Sequence, residues 1–331
     1  MLSKKSKRIL LGMAAAAGAM ALAACSGPAS SSSGGSTPAN GSATSGGPMN
    51  VAVVTHGSAG DSFWNVVKNG ATDAGKQLGV NVTYNSDGDP GAQSKLIDNA
   101  VAQHVDGLVV SMANPDALKS SIQAAVKAGI PVVTINSGQS QSAAFGALAH
   151  VGQDEGIAGQ QAGAKLKSAG KTNLLCVIHE AGNVGLAQRC DGAKQGFGKT
   201  TNLQVDINNP TDVEAKIKGA LQTDSSIDAV LTLNPQIALS AVNAAKETNS
   251  KATVATFDLN SDVVSAIKAG QVAFAVDQQQ YEQGYLPIVM LKLYHDNANT
   301  VGGGQPVLTG PGFVDKSNVD KVSQYAARGT R

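Results

Sequence analysis

The sequence predicts an α/β protein of two similar lobes, each with helices packed on a parallel β-sheet. From residue 50 onward, short apolar runs rich in β-branched residues alternate with longer stretches of helical period, which is the pattern of βαβ units. An internal repeat is also visible, because residues 228–239 echo the strand, Asn-Pro and helix pattern of residues 106–118. About 284 residues follow residue 47, more than one hydrophobic core usually serves.

Nine apolar runs are expected to form strands. They are residues 50–55, 80–85, 107–111, 131–135, 173–178, 203–207, 229–233, 252–257 and 272–276. Between the first two, apolar residues recur every three or four positions from Trp64 to Leu78 and Gly79 follows them, which predicts an amphipathic helix that ends at the glycine. Because ligands of open parallel sheets bind beyond the carboxyl ends of the strands, strand-end residues are the candidates for function.

The N-terminal segment has the layout of a lipoprotein signal peptide. Residues 1–24 pass from a basic stretch into an alanine-rich apolar segment, too short for a comfortable membrane span, and end in Leu-Ala-Ala before Cys25. We expect Cys25 to carry a lipid; a plain signal peptide with an incidental cysteine is the alternative. Residues 25–47, rich in Ser and Gly, are then a flexible tether with a reach of roughly 25 Å. The domain would be exported and anchored to the outer face of the cytoplasmic membrane, either extracellular or periplasmic.

Charge and cysteine content narrow the function further. Without the signal peptide, 21 basic and 24 acidic residues remain, so there is no basic field for nucleic acid. Cys176 and Cys190 are predicted to form a disulfide, because disulfides persist in exported domains; two free buried thiols are the alternative. A metal site would need further ligands, and only His179 lies close in sequence.

Several short motifs occur in an order and spacing typical of one family. They are Asp61-Ser-Phe-Trp64, Asn114-Pro115, Val133-Thr-Ile-Asn136-Ser-Gly, His179-Glu-Ala-Gly-Asn183 with Arg189, Asn234-Pro235, Phe257-Asp258 and Asp277-Gln-Gln-Gln-Tyr-Glu-Gln-Gly284. Over residues 50 to about 310 the chain resembles the type I periplasmic binding proteins, specifically the ribose-binding-like simple-sugar receptors of ABC transporters. The resemblance implies two Rossmann-like lobes joined by three hinge crossovers. We expect the N-terminal lobe in residues 48–151 and 279–307, and the C-terminal lobe in residues 152–278 and 308–331.

The resemblance also implies a ligand-binding set at the strand ends and helix starts. Its members are Asp61, Phe63, Trp64, Asn136, Arg189, Asn234, Asp258 and Gln278. Aromatic rings suit the C–H faces of a sugar, while carboxylates, amides and arginine satisfy its hydroxyls. Other roles stay open: Asp61, Asn234 and Asp258 are also good helix N-caps, Trp64 also fits the buried helix face, and Arg189 also suits a solvated surface.

Some positions near this set have two alternative roles or depart from the family pattern. Ribose-binding proteins carry Asp-Arg where this chain has Asn136 and Ser137, an exchange that disfavours ribose and leaves room for a larger ligand or a polyol. Asp277 is an alternative to Gln278. We expect His179 and Glu180 either to add contacts to the ligand or to stabilise their loop.

Together these features predict the solute-binding component of an ABC-type importer. It would bind a small neutral sugar or polyol between its lobes and deliver it, as a monomer, to permease subunits, with no cofactor or metal. The alternatives are a receptor domain that feeds a sensor kinase, or a binding protein for a non-sugar solute such as a nucleoside. An enzyme is not expected, because the sequence shows no nucleophile elbow and no phosphate loop. Transcriptional repressors share these lobes, but the signal peptide occupies the place of their DNA-binding module.

Overall fold

The structure is a computed structural model that describes residues 47–58 and 60–331. The predicted signal peptide, Cys25 and residues 26–46 of the predicted tether lie outside the described residues. Within the described part of the chain, no helix combines the length and the apolar character that crossing a bilayer requires.

Strands and helices alternate along nearly the whole described chain. The first elements are β1 (Asn50–Thr55), α1 (Ser62–Leu78), β2 (Asn81–Ser86), α2 (Pro90–Ala102), β3 (Gly107–Ser111), α3 (Pro115–Lys127), β4 (Val132–Ile135), α4 (Gln139–Ser142) and β5 (Ala149–Gly152). There follow α5 (Glu155–Ser168), β6 (Leu174–Ile178), α6 (Val184–Phe197), β7 (Thr200–Gln204), α7 (Pro210–Thr223), β8 (Ala229–Thr232), α8 (Pro235–Glu247), β9 (Thr253–Phe257), α9 (Ser261–Lys268) and β10 (Val272–Asp277). The last are α10 (Gln280–Asn297), β11 (Val307–Leu308), β12 (Gly312–Asp315) and α11 (Val319–Arg328).

Each lobe is built on a six-stranded sheet. The strand order is β11-β5-β4-β3-β1-β2 in the first sheet and β12-β10-β9-β8-β6-β7 in the second. Neighbouring strands are parallel, except that β12 runs antiparallel to β10 at one edge. The prediction of two α/β lobes with parallel sheets is therefore confirmed. The chain passes from one sheet to the other three times, after β5, after β10 and between β11 and β12.

The central strands are buried on both faces, which explains why they were visible as continuous apolar runs. All five residues of β3 and all four of β4 and of β8 are buried. Successive residues of β1 alternate between two cores: Val53 packs with the helix α1 side of the sheet, and Val54 with the opposite side. Helices on both faces thus enclose each sheet and leave its strand ends free to form a site.

The structure differs from the strand prediction in the weakly apolar segments. The run at 203–207 was predicted as a strand, but β7 spans Thr200–Gln204. This prediction was wrong by three residues because β7 is a polar edge strand, and the buried Val205 and the half-buried Ile207 pack against the core after the strand has ended. Three short strands, β5, β11 and β12, were not predicted, since none of them contains an apolar run long enough to be recognised.

Helices α5 and α6 approach unusually closely because glycines line their contact. A Cβ atom on Gly159 would collide with the backbone carbonyl of Arg189, and one on Gly192 would collide with the carbonyl of Gly156. Cys176 on β6 and Cys190 on α6, both fully buried, are joined in a disulfide with a Cα–Cα distance of 5.8 Å. Helix α6 is therefore held both to its sheet and to α5.

Reduction of the Cys176–Cys190 disulfide is expected to lower the free energy of unfolding by about 3 kcal/mol, because the unfolded chain then regains the entropy of an open loop. Urea denaturation with and without reductant measures the difference. In the double variant Cys176→Ala, Cys190→Ala, the unfolding curve should not respond to reductant. Equal stability of the oxidised and reduced protein would contradict this role of the disulfide.

Candidate functional site

A small cavity lies between the two lobes, at the carboxyl ends of the strands. It is lined by His56, Asp61, Phe63, Trp64, Asn136, His179, Glu180, Asn183, Leu186, Arg189, Leu233, Asn234, Asp258 and Gln278. The structure thus brings together all eight residues of the predicted ligand-binding set, although the residues themselves lie up to 217 positions apart between Asp61 and Gln278. Asp277 ends β10 beside Gln278 but does not line this cavity.

Asn136 and Asp258 occupy equivalent places in the two lobes. Each directly follows a strand, β4 or β9, and each has a left-handed backbone, with φ of 60° and 70°. Asn and Asp tolerate this conformation better than most residues. The backbone N–H of each donates to the neighbouring strand, to Val151 O at 3.1 Å and to Val276 O at 2.8 Å.

Gln278 connects these two residues at the hinge. Its Nε2 donates to Asp258 Oδ1 at 2.8 Å, and its Oε1 accepts from Asn136 Nδ2 at 3.1 Å and from Gln283 Nε2 at 2.9 Å. All four side chains are buried. The amide oxygen of Gln278 therefore accepts two hydrogen bonds and its nitrogen donates one, and these bonds connect side chains from both lobes.

Arg189 projects from α6 into the cavity and is held by an ion pair that the sequence did not reveal. Its Nε and Nη2 donate to the two carboxylate oxygens of Glu155, at 2.6 and 2.9 Å, and Nη1 donates to Leu233 O at 3.4 Å. The guanidinium lies over the ring of Phe257, 4.6 Å from its centroid. Arg189 is only 3% exposed, so the alternative of a solvated surface arginine is wrong.

Asp61 and Asn234 cap helices and also touch each other across the cleft. Asp61 Oδ1 accepts from the N–H of Phe63 at 2.8 Å at the start of α1, and Asn234 Oδ1 accepts from the N–H of Gln236 at 2.8 Å at the start of α8. Asn234 Nδ2 lies 3.3 Å from Asp61 Oδ2. The N-cap interpretation is correct for both residues, yet capping leaves their side chains at the cavity wall.

Aromatic side chains of the N-terminal lobe form one wall of the cavity. Phe63 and Trp64 pack edge to face with ring centroids 4.9 Å apart, and His56 packs against Trp64 in the same way at 4.7 Å. Both aromatic residues are 5% exposed and belong to the core of their lobe. Trp64 therefore serves as a core residue and lines the cavity at the same time.

A second contact between the lobes involves His56 and Asn183, neither of which was predicted to have a role in the site. His56 Nε2 lies 3.3 Å from Asn183 Nδ2, and Ser137 Oγ donates to Asn183 Oδ1 at 3.1 Å. Asn183 also caps α6 and donates to Glu180 Oε2 at 2.7 Å. Of the two, only Asn183 could have been found from the sequence, because an Asn directly before an apolar helical segment is typical of a helix N-cap. His56 follows β1, and its place at a strand end is the only sequence feature that points to the site.

Burial is the largest cause of the pKa shifts of Asp258, His56 and His179 in the cavity. It raises the pKa of Asp258 to about 8, although Arg189 and the hydrogen bond from Gln278 act in the opposite direction. Burial, followed by the nearby Arg189, lowers the pKa of His56 to about 3, and burial lowers the pKa of His179 to about 4. Both histidines are therefore neutral at physiological pH, and the cavity presents hydrogen-bonding groups rather than a strong positive field.

These features suit reversible binding of a hydroxylated ring. Donors and acceptors surround the cavity on several sides, and the aromatic residues Phe63 and Trp64 line it as well. Among the described residues, no group of three or more His, Cys, Asp or Glu is placed to hold a metal ion.

Comparison with known proteins identifies the architecture. Residues 51–298 match the family described as periplasmic binding protein domain. The chain belongs to this family. The ribose import binding protein RbsB of Haemophilus influenzae is 25% identical over 236 residues, which cover 69% of this chain and 79% of that protein. The ribose import binding protein RbsB of Bacillus subtilis is 25% identical over 225 residues, which cover 66% of this chain and 72% of that protein.

Among solved structures, a carbohydrate transporter from Acidothermus cellulolyticus 11B in complex with myo-inositol is 44% identical, with a TM-score of 0.85. The match covers 86% of this chain and 100% of that one. A glucose-galactose binding protein from Geobacillus stearothermophilus, 19% identical with a TM-score of 0.72, shares the fold. Periplasmic binding proteins with this two-lobe fold are thus similar to the chain over nearly all of its described part.

In this periplasmic binding protein, Glu155→Gln is expected to lower the free energy of unfolding by about 3–5 kcal/mol, because the substitution leaves the buried guanidinium of Arg189 without its counter-ion. Urea denaturation measures the change. The matched control is Glu247→Gln, since Glu247 pairs with Lys218 at 2.7 Å on the surface and its removal should have little effect. A similarly small effect of both substitutions would show that Glu155 does not hold Arg189 in place.

Proposed function

We propose that the protein is the solute-binding component of an ABC-type importer and that it binds a cyclic polyol or small neutral sugar in the cavity between its lobes. The observation that carries this proposal is the composition of the cavity wall, in which two aromatic rings stand beside side chains that can hydrogen-bond hydroxyls from several directions. Membership of the periplasmic binding protein family and the importer relatives support it.

The type of ligand follows from where the polar groups lie. Asp258, Arg189 and Asn234 come from the C-terminal lobe, whereas Asp61 and Asn136 come from the N-terminal lobe. A ring that carries hydroxyls around its whole circumference can bond to donors and acceptors of both lobes. A pentose has fewer hydroxyls and would leave some of these protein groups without a partner. The myo-inositol bound to the relative that is 44% identical is a ligand of this kind and supports the assignment.

The way in which the lobes touch suggests how capture works. Besides the contact between Asp61 and Asn234, the N–H of Val184 donates to Ala113 O at 3.0 Å across the cleft. These contacts across the cleft are hydrogen bonds, and each contributes little net free energy because it replaces a bond to water, so closure in the absence of ligand gains little. A ligand that bonds to both lobes shifts the population towards the closed form, which the permease would then recognise.

Export and anchoring complete the proposal. The signal peptide with Leu-Ala-Ala before Cys25 and the Ser/Gly-rich segment after it support a lipoprotein tethered to the outer face of the cytoplasmic membrane. The protein would act there as a monomer beside its permease.

Saturating myo-inositol, at about 100 times its dissociation constant, is expected to raise the free energy of unfolding by about 2.7 kcal/mol, which shifts the melting temperature by several degrees. Thermal-shift measurements against inositols, hexoses, pentoses, nucleosides and amino acids test this. Asp258→Ala should remove the shift, because the ligand loses a buried acceptor. Asp262→Ala, at an exposed position four residues further on, is the control and should keep it. A shift with a nucleoside or amino acid, and none with any polyol or sugar, would overturn the ligand assignment.

Cys25→Ala is expected to move the protein from the membrane fraction to the soluble fraction, because the lipid would have no attachment site. Cell fractionation combined with labelling by a radioactive fatty acid measures both effects. Cys176→Ala is a control that removes a cysteine elsewhere and should retain the label. Labelling that persists in Cys25→Ala would contradict lipidation at this residue.

A further inference from the structure

The cleft between the lobes contains a second cavity, of about 410 Å³. Its lining includes Gly88 after β2, Asn114 after β3 and Gln204 at the end of β7. Strands β2 and β7 are edge strands, and the strands next to the three crossovers lie towards the opposite edges of the two sheets. This outer cavity therefore continues the cleft away from the hinge, beyond the inner cavity that the predicted ligand-binding set lines.

Four residues line both cavities: His56 from the N-terminal lobe, and His179, Glu180 and Asn183 from the C-terminal lobe. The side chain of Asn183 bonds to both lobes. Its Oδ1 accepts from Ser137 Oγ at 3.1 Å, and its Nδ2 donates to Glu180 Oε2 at 2.7 Å and lies 3.3 Å from His56 Nε2. The amide of Asn183 therefore stands between the two cavities and connects the lobes at that point.

The backbone at the start of α6 strengthens this partition. The N–H of Val184 donates to Ala113 O at 3.0 Å, and Ala113 lines the outer cavity. Asn183 is the N-cap of α6 and is buried, so the helix fixes its position. Residues 183 and 184 thus meet the N-terminal lobe at three places, His56, Ser137 and Ala113, and these contacts close the passage from the inner to the outer cavity.

We propose that Asn183 and His56 determine the size of the ligand, because the passage that they close restricts the solute to a single ring. A ligand with a second ring would place that ring in the outer cavity and its linkage in the passage. The start of α6 could then not reach the N-terminal lobe, and the lobes could not close fully. The inference rests on the proposed function and adds to it the residues that limit ligand size.

The outer cavity itself does not exclude a second ring. Small-molecule sites in proteins span roughly 300–1,000 Å³, and the outer cavity falls in this range. It also offers polar groups: His179 is 5% exposed, and its Nδ1 has no hydrogen-bond partner among the described residues. A hydroxyl of a ligand that extends past His179 would satisfy this atom. The closed passage, and not a lack of space or of polar groups, is therefore what limits the ligand.

The test compares myo-inositol with its galactoside, in which a second ring is attached to one hydroxyl of the first. Isothermal titration of the full chain is expected to give about hundredfold weaker binding of the galactoside. The physical reason is incomplete closure, since the inositol ring then loses its hydrogen bonds to one of the lobes. The measured quantity is the ratio of the two dissociation constants.

Two variants open the passage, one from each lobe. Asn183→Ser retains a good helix cap but is shorter and lacks the amide that reaches Glu180 and His56. His56→Ser removes the ring on the opposite side. In each variant the ratio should fall to about tenfold or less. The matched control is Asn114→Ser, the same exchange at the N-cap of α3, which lines the outer cavity alone and should keep the ratio near hundredfold.

The outcomes separate this inference from the proposed function. A ratio that falls in Asn183→Ser and His56→Ser, with unchanged binding selectivity in Asn114→Ser, supports the inference; melting temperatures of the ligand-free variants verify that they are folded. Equal binding of the two compounds by the unaltered protein overturns the inference and leaves the proposed function intact. So does a ratio that stays near hundredfold in both variants, or one that falls equally in the control. Failure of every single-ring polyol and hexose to bind would overturn the proposed function, and this inference with it.

Discussion

The buried ion pair between Arg189 and Glu155 is the interaction on which the site depends. Both side chains are almost inaccessible, and the pair joins the start of α5 to the middle of α6. Such a pair is costly to bury and even more costly to break, so its geometry is strongly constrained. Because Glu155 occupies two of the donors of Arg189, it also decides how much positive charge is left for the cavity.

The close approach of α5 and α6 makes this pair possible. Gly159 lies against the backbone carbonyl of Arg189 itself, so the two helices can meet only where a side chain is absent. The disulfide from Cys190, the residue that follows Arg189, to β6 fixes the same turn of α6 to the sheet. The close contact at Gly159, the ion pair with Glu155 and the disulfide of Cys190 therefore all act on the same turn of α6. Together they fix the position of the Arg189 guanidinium.

The two-lobe α/β fold and eight of the residues that line the cavity could be predicted from the sequence. The central strands were visible because burial on both faces makes them continuously apolar, and residues such as Asp258 were visible because they directly follow such strands. Glu155, His56 and Gln283 were not found. Their roles depend on partners that are 34, 127 and 147 positions away, and nothing in the local pattern of Glu155 distinguishes it from an ordinary residue in the first turn of a helix.

Asn136 and Asp258 share one backbone conformation at equivalent places, but one side chain is neutral and the other is acidic. Both amino acids accept a left-handed backbone, so an exchange of Asn for Asp at either position is compatible with the backbone of the strand end. One nucleotide change in a codon converts one residue into the other. Each lobe therefore carries a position at the cavity wall whose charge can be altered in evolution by a single step without remaking the backbone around it.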